Sequence, residues 1–162
     1  MPYPCAGPPP GPRMKLIHET PARGLPPALP TILYVEDEDE NWTVAQLRLR
    51  GRFHMVRAAT DQQACDAVRT YGPALHAVLM DIQLKGSQLD GIKLCRLFRG
   101  SLEDPDLPPY ARGCPTITAP IIFVTAYGRR YTEAELKGFG GHMLIVKPVD
   151  FTRIPLGAPG PN

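Results

Sequence analysis

The stretch Leu75-His-Ala-Val-Leu-Met-Asp81 decides the fold, because it is a short apolar run that ends directly in a carboxylate. A continuous apolar run of this length, bounded by turn signals, is typical of a strand buried inside a parallel sheet. A glycine-containing loop follows, and residues 92–98 then place apolar side chains at helical spacing. The stretch therefore predicts a strand, a loop and a helix, with Asp81 at the carboxyl edge of the strand.

The same alternation of a short apolar run and a longer amphipathic stretch recurs along the chain. Four further strands are predicted at Thr31–Val35, Phe53–Ala58, Pro120–Val124 and Met143–Val146. Three further helices are predicted: one between the acidic run 36–40 and Gly51, one opened by a capping box at 60–63, and one at 131–139. Repeated strand and helix units indicate an α/β fold with a doubly wound, five-stranded parallel sheet.

Proline and glycine mark the limits of this domain, which we expect to span residues 31–150. Ten of the 20 prolines lie in residues 1–30, which carry few large apolar side chains and are predicted to form a flexible arm. Residues 101–119 hold further prolines and little periodicity, so they are interpreted as a long loop. Residues 151–162 are also rich in proline and glycine, which predicts a flexible tail in place of a final helix.

Composition excludes several classes of function. The chain has 18 Lys and Arg against 16 Asp and Glu, a net charge of +2, which provides no basic field for nucleic acid. No apolar run reaches the ~20 residues of a membrane span, and no secretory signal precedes the domain, so a cytoplasmic protein is expected. The cysteines form no C-x-x-C pair, which argues against a zinc ribbon, a redox motif of that type or a disulfide framework. The four are Cys5, Cys65, Cys95 and Cys114.

Polar side chains lie at the ends of four of the five predicted strands. Glu36 and Asp37 follow the first strand, Asp81 ends the third, Thr125 follows the fourth, and Lys147 follows the fifth. Ligands of open parallel sheets bind at this carboxyl edge, so we expect these side chains to meet in one crevice. Carboxylates packed together repel one another unless a cation joins them, and hard oxygen ligands favour Mg²⁺.

This set of groups suits phosphoryl chemistry at Asp81. A cation lowers the negative charge around the carboxylate, so that one of its oxygens can attack phosphorus. Lys147 and the hydroxyl of Thr125 would hold the incoming phosphoryl oxygens. A covalent aspartyl phosphate is a coherent interpretation of the pattern.

The sequence resembles the response-regulator receiver domain from about Thr31 to Asp150. The distances along the chain from Asp37 to Asp81 and from Thr125 to Lys147 also match the pattern of that family. The resemblance rests on four motifs in this order: Ile-Leu-Tyr-Val35-Glu36-Asp37, Val-Leu-Met80-Asp81-Ile-Gln83, Val124-Thr125-Ala126 and Lys147-Pro148.

The resemblance implies a flavodoxin-like sheet with strand order 2-1-3-4-5 and a role in two-component signalling. Asp81 would accept a phosphoryl group from a sensor histidine kinase or a phosphotransfer protein, and the domain would catalyse only its own phosphorylation and dephosphorylation. Lys147 would pair with Asp81, and Thr125 would act as a switch that signals to a downstream protein target. The residues implied to hold Mg²⁺ are Glu36, Asp37, Asp81 and the backbone carbonyl of Gln83.

Two positions and one helix depart from the family pattern. Leu144 replaces an aromatic residue that the family usually places three positions before the lysine, and Lys85 replaces a proline in the loop after Asp81. The final helix of the family has no counterpart after Asp150. The apolar surface beneath it is then expected to be covered by a partner, by the N-terminal arm or by a second copy in a homodimer.

Two alternatives belong to different classes of function. The first is a pseudo-receiver that uses the same fold as a docking surface without phosphorylation. The second is a Mg²⁺-dependent phosphohydrolase of the haloacid-dehalogenase type, which also uses an aspartate at the end of a strand. That class needs an acid two residues after the nucleophile, where this chain has Gln83, so the sequence favours the receiver.

Overall fold

The computed structural model describes residues 28–157, in which strands and helices alternate along the chain. The strands are β1 (Thr31–Val35), β2 (His54–Ala58), β3 (Leu75–Asp81), β4 (Ile121–Thr125) and β5 (Met143–Val146). The helices are α1 (Asp39–Leu49), α2 (Asp61–Tyr71), α3 (Gly91–Phe98) and α4 (Glu133–Gly138). Most of the predicted N-terminal arm and the last five residues of the predicted tail lie outside the described residues.

The five strands form one sheet in the order β2-β1-β3-β4-β5, and every neighbouring pair is parallel. The predicted strand order is therefore confirmed. The ends of the predicted strands agree with these bounds to within one residue. β2 and β4 each begin one residue later than predicted. All five strands point their carboxyl ends toward the same edge, as a parallel sheet requires.

Helices cover both faces of the sheet, which confirms the doubly wound arrangement. Alternate residues of β1 point to opposite faces: Leu33 and Val35 pack in one core cluster, and Ile32 and Tyr34 pack in the other. The first cluster includes residues of α2, α3 and α4, and the second includes residues of α1. The helices of the described segment are all too short or too polar to span a bilayer.

The helix starts follow the capping signals of the sequence. The Thr60 hydroxyl accepts a hydrogen bond from the backbone N–H of Gln63 at the start of α2. The Gln63 side chain then accepts from the backbone N–H of Ala59, one residue earlier than a full capping box requires. Thr132 and Glu135 form the complete reciprocal box at the start of α4.

Residues 101–119 pack against the first core cluster. Ala111 and Ile117 are buried there, and Pro109–Ala111 forms a short 3-10 helix. The guanidinium of Arg99 donates to the backbone carbonyls of Ile117 at 2.6 Å and Ala119 at 2.8 Å, and so fixes the end of the loop. The long loop is therefore packed against the rest of the domain and contributes to its core.

Residues 147–157 contain turns and no helix, in agreement with the predicted lack of a final helix among the described residues. Phe151, Ile154 and Leu156 are nevertheless buried in the second core cluster, beside residues of α1 and the sheet. The expectation of a flexible tail from residue 151 is thus wrong for residues 151–157. Their apolar side chains cover the surface that was expected to need a partner, the arm or a second copy.

Packing of this C-terminal segment predicts a loss of stability when one of its buried side chains is shortened. We expect Ile154→Ala to lower the free energy of unfolding by about 2 to 4 kcal/mol, because it removes buried methyl groups and leaves a cavity. Urea denaturation followed by far-UV circular dichroism measures this change.

The neighbouring Arg153 provides the matched control, since 87% of its side chain is exposed. We expect Arg153→Ala to change stability by less than about 0.5 kcal/mol. Equal unfolding midpoints for Ile154→Ala and the unchanged protein would contradict the packing of this segment.

Candidate functional site

The predicted site residues meet at the carboxyl edge of the sheet. Glu36 and Asp37 leave the end of β1, Asp81 ends β3, Thr125 ends β4, and Lys147 follows β5. Because β1, β3 and β4 are adjacent and parallel, their ends place these groups side by side. The backbone N–H of Lys147 donates to the carbonyl of Thr125 at 2.8 Å, which fixes the start of the segment after β5.

The ammonium of Lys147 joins two buried carboxylates. Its Nζ lies 2.8 Å from Oδ2 of Asp81 and 2.9 Å from Oε2 of Glu36. Glu36 is fully buried, and Asp81 is 5% exposed. Burial alone would lower the pKa of Lys147, but its hydrogen bonds to Asp81 and Glu36 outweigh this effect and raise the pKa. The lysine is therefore held in its charged form.

Glu36 has hydrogen-bond donors on both of its oxygens. Besides Lys147, the hydroxyl of Tyr34 donates to Oε2 at 3.0 Å, and the backbone N–H of Glu38 donates to Oε1 at 3.0 Å. Burial and the adjacent Glu36 carboxylate raise the pKa of Tyr34. The sequence analysis missed this role of Tyr34. The available signal was its position two residues before Glu36, since residues i and i+2 of an extended segment share one side.

Asp81 is buried, but it lines a cleft at the carboxyl edge of the sheet. Its Oδ1 accepts a hydrogen bond from the backbone N–H of Gln83 at 3.1 Å, while Oδ2 is held by Lys147. Burial raises the pKa of Asp81 above its ordinary value, although the hydrogen bond from Lys147 opposes the shift. Gly91 lets α3 start directly behind this strand end, since a Cβ there would lie 2.1 Å from the carbonyl oxygen of Asp81.

The side chain of Thr125 is 1% exposed, and its hydroxyl accepts a hydrogen bond from the backbone N–H of Tyr127 at 3.0 Å. Among the described contacts, this hydroxyl makes no hydrogen bond to Asp81 or Lys147. The structure thus places Thr125 at the edge of the site and directs its hydroxyl toward the following loop.

A cleft of about 160 Å³ opens over Asp81. Lys85 lies at its mouth, where Nζ is 3.2 Å from Oε1 of Glu38 and the backbone N–H donates to Oδ2 of Asp37 at 3.2 Å. The sequence analysis treated Lys85 only as a departure from a family pattern, and the structure gives it two contacts at the site. The residues that line the cleft are Asp37, Glu38, Asp81, Gln83, Lys85, Ala126, Tyr127 and Lys147.

Three carboxylates of this edge are close enough to share one cation. Glu36, Asp37 and Asp81 each offer an oxygen, and these oxygens all lie within 4.8 Å of one another. Lys147 is the one ammonium bonded to this group in the described segment, so the cluster keeps an excess of negative charge. Clustered hard oxygen ligands with an open side fit Mg²⁺, which takes one or two carboxylates and keeps several waters.

Comparison with solved structures identifies the fold. The receiver domain of NtrX from Brucella abortus is 25% identical, with a TM-score of 0.53 over 74% of this chain and 87% of that chain. The BeF3-activated N-terminal receiver domain of RstA from Klebsiella pneumoniae is 24% identical, with a TM-score of 0.56 over 75% of this chain and 89% of that chain. The fold is that of a response-regulator receiver domain.

In other solved structures, the part that matches this chain is one segment of a longer protein. A longer structure of NtrX from Brucella abortus is 24% identical with a TM-score of 0.56, and 77% of this chain matches 25% of that chain. This chain thus spans about a quarter of the length of that protein. No protein-family model and no curated protein match the sequence. The solved structures that this chain resembles include separate receiver domains.

The electrostatics of the receiver domain predict that Asp81→Asn stabilises the metal-free protein at neutral pH. Because burial raises the pKa of Asp81, the folded state holds a proton on this carboxyl more tightly than the unfolded state does. Stability of the unchanged protein therefore falls as the pH rises from the ordinary aspartate pKa through the folded pKa. Asp81→Asn has no carboxyl to ionise at this position, so its stability does not fall in this way. The variant should therefore be more stable than the unchanged protein above the folded pKa of Asp81, and the difference should disappear in acid.

Urea unfolding in the presence of a chelator, repeated from acid to neutral pH, measures this difference. The exposed Asp106 provides the control, and we expect Asp106→Asn to follow the unchanged protein at every pH. If Asp81→Asn is less stable than the unchanged protein at neutral pH, then the buried charge of Asp81 does not destabilise the fold, and the prediction is wrong.

Proposed function

We propose that this protein is a phosphoacceptor of two-component signalling, and that Asp81 receives the phosphoryl group of a phosphohistidine. The donor would be a sensor histidine kinase or a phosphotransfer protein, in the cytoplasm. The observation that carries this proposal is the position of Lys147, whose ammonium lies 2.8 Å from Oδ2 of Asp81. Because Lys147 holds Oδ2, the other oxygen of Asp81, Oδ1, keeps one described partner, the backbone N–H of Gln83, and is the oxygen available to react.

The chemistry follows from this geometry. An oxygen of Asp81 attacks phosphorus, the bond between phosphorus and the imidazole nitrogen breaks, and the imidazole leaves with the electron pair. The ammonium of Lys147 compensates the charge of the phosphoryl oxygens, because it already lies beside the attacking carboxylate. Later attack of water on the same phosphorus would restore the free Asp81, so the cycle consumes no residue of the domain.

The same cluster supports Mg²⁺ as the cofactor of this reaction. Glu36, Asp37 and Asp81 would hold the ion, and the backbone carbonyl of Gln83 would add a ligand from the lining of the cleft. The bound ion would neutralise the excess negative charge of the carboxylates and polarise the phosphoryl oxygens. Lys147 alone leaves that charge only partly compensated.

Signal output would begin at Thr125. Its hydroxyl now accepts from the backbone of Tyr127, and a phosphoryl oxygen on Asp81 would give it a stronger, charged partner. Movement of Thr125 would release Tyr127, whose side chain is 53% exposed beside Val146. A downstream protein would detect this change in the exposed surface. Leu144 lies on β5, two residues before Val146, and provides no aromatic ring of the kind that the family pattern uses there.

Direct phosphorylation tests the function. We expect the purified chain to gain the mass of one phosphoryl group when incubated with Mg²⁺ and phosphoramidate or acetyl phosphate, measured by intact-protein mass spectrometry. Asp81→Asn should abolish the gain because it removes the nucleophile. Lys147→Met should lower the rate by roughly 100-fold or more, the scale of losing one preorganised charge partner.

The exposed Asp106 again supplies a matched control, and Asp106→Asn should be phosphorylated like the unchanged protein. A folded protein that gains no phosphoryl mass from either donor would refute the proposal and favour the pseudo-receiver. Continuous release of phosphate from a phosphomonoester would favour the phosphohydrolase.

Metal binding supplies an independent prediction. We expect Mg²⁺ to raise the stability of the unchanged protein, by about 2.7 kcal/mol at a concentration about 100 times the Kd. Asp37→Asn removes a cluster carboxylate that is only partly buried, so the variant should fold normally and lose most of this gain.

The exposed Asp39 lies outside the cluster, and Asp39→Asn should keep the full response to Mg²⁺. Thermal unfolding with Mg²⁺, and with KCl at equal ionic strength, measures both variants. Equal stabilisation by the two salts would contradict a specific site.

A further inference from the structure

One face of α2 is attached to the 101–119 loop along its whole length. Asp61, Cys65 and Arg69 are spaced four residues apart, so they lie above one another on one side of this helix. Each of the three contacts the segment 110–114 of the loop. Asp61 and Arg69 both bind Tyr110, Arg69 also reaches Arg112, and Cys65 lies between the two polar residues on the helix.

The two outer contacts fix the position of the segment. The carboxylate of Asp61 is 4% exposed and accepts hydrogen bonds from the hydroxyl of Tyr110 and, at 2.9 Å, from the backbone N–H of Leu89. The guanidinium of Arg69 donates to the carbonyl oxygens of Tyr110 and, at 3.3 Å, of Arg112. Segment 110–112 therefore cannot slide along the helix without breaking these bonds.

Cys65, between these anchors on the helix, is a member of the first core cluster, and Cys114 of the loop packs against the same cluster. The two thiols lie near enough for each to shift the pKa of the other. Both cysteines are unbonded thiols in this structure. The backbone N–H of Cys114 donates to the carbonyl of Ala111 at 3.2 Å, which holds the loop cysteine in place. Cys65 is fully buried, whereas Cys114 is partly exposed and can be reached from solvent.

The two thiols differ in acidity. The closeness of Cys65 lowers the pKa of Cys114, and the nearby Arg69 adds to this effect. The same closeness, together with burial, raises the pKa of Cys65. Because Cys114 is also the sulfur that solvent reaches, it is the nucleophile, and the fully buried Cys65 is the protonated partner next to it.

Cys95 is a buried cysteine outside this pair and serves for comparison. Its thiol donates to the carbonyl of Phe139 at 3.4 Å, and burial raises its pKa to about 11. This hydrogen bond involves no second sulfur. Cys5 lies outside the described residues.

We propose that Cys65 and Cys114 are a reversible redox pair that forms a disulfide when a peroxide oxidises the protein. The thiolate of Cys114 attacks one oxygen of hydrogen peroxide, the O–O bond breaks, and sulfenic acid and hydroxide result. The thiol of Cys65 then attacks the sulfenic sulfur, an S–S bond forms, and hydroxide leaves and takes up a proton as water. Two thiols and one peroxide thus give one disulfide and two waters, and a dithiol reductant reverses the change.

Such a disulfide would join α2 covalently to the 101–119 loop. It would close a long segment of chain, which restricts the unfolded state and stabilises the protein. This property does not depend on phosphorylation of Asp81. The variant Asp81→Asn should therefore form the link as readily as the unchanged protein.

The test uses the reduced full chain treated with a small excess of hydrogen peroxide, followed by alkylation and digestion without reductant. We expect a peptide pair linked through Cys65 and Cys114, its loss on treatment with dithiothreitol, and a rise in melting temperature of roughly 5 to 10 °C on oxidation. Cys114→Ser should abolish the link. Cys65→Ala should leave a sulfenic acid on Cys114 that dimedone traps, which provides a second readout if either variant is less stable.

Matched controls use the other two cysteines. Cys5→Ser and Cys95→Ala should both keep the link and the rise in melting temperature. A disulfide that instead contains Cys5, or a Cys114 that peroxide modifies no faster than Cys95, would overturn the proposal. Oxidation of Cys114 to the sulfinic acid in the unchanged protein, with no linked peptide, would overturn it as well.

Discussion

The structure depends on one buried ammonium, that of Lys147, held between the carboxylates of Asp81 and Glu36. Removing an ammonium from water costs several kcal/mol, and the attraction of the carboxylates offsets this cost. Tyr34 and the backbone of Glu38 complete the bonds of Glu36, and no buried side-chain polar atom of the described segment lacks a partner. The parallel sheet brings these groups together because its carboxyl ends share one edge.

Two segments complete the domain around this edge. Residues 151–157 place Phe151, Ile154 and Leu156 on the face that α1 covers only in part. The 101–119 loop packs on the other face and is tied through Asp61 to the backbone of Leu89, in the loop that follows Asp81. Neither segment contains an α-helix, yet both cover apolar surface of the sheet and thereby support the strand ends at the site.

The sequence predicts the sheet and the site well, because both depend on local patterns. Four of the five strands are apolar runs with a polar residue at or directly after their ends, and the parallel sheet brings these residues into one cluster. Contacts between distant segments are not visible in such patterns. Nothing in the proline-rich sequence after Asp150 signals that Ile154 and Leu156 are buried, because three apolar residues among prolines and glycines show no period. The meeting of Cys65 with Cys114 likewise depends on how the long loop folds back on α2.

The most direct test of the account is to locate the acyl phosphate by chemical reduction. Borohydride reduces an aspartyl phosphate to the alcohol, which converts the modified aspartate to homoserine. After treatment with phosphoramidate and Mg²⁺, reduction and digestion, the account predicts homoserine at position 81 and unchanged aspartate at position 37. Homoserine at position 37, or at neither position in a protein that carries phosphoryl mass, would contradict the role of Asp81.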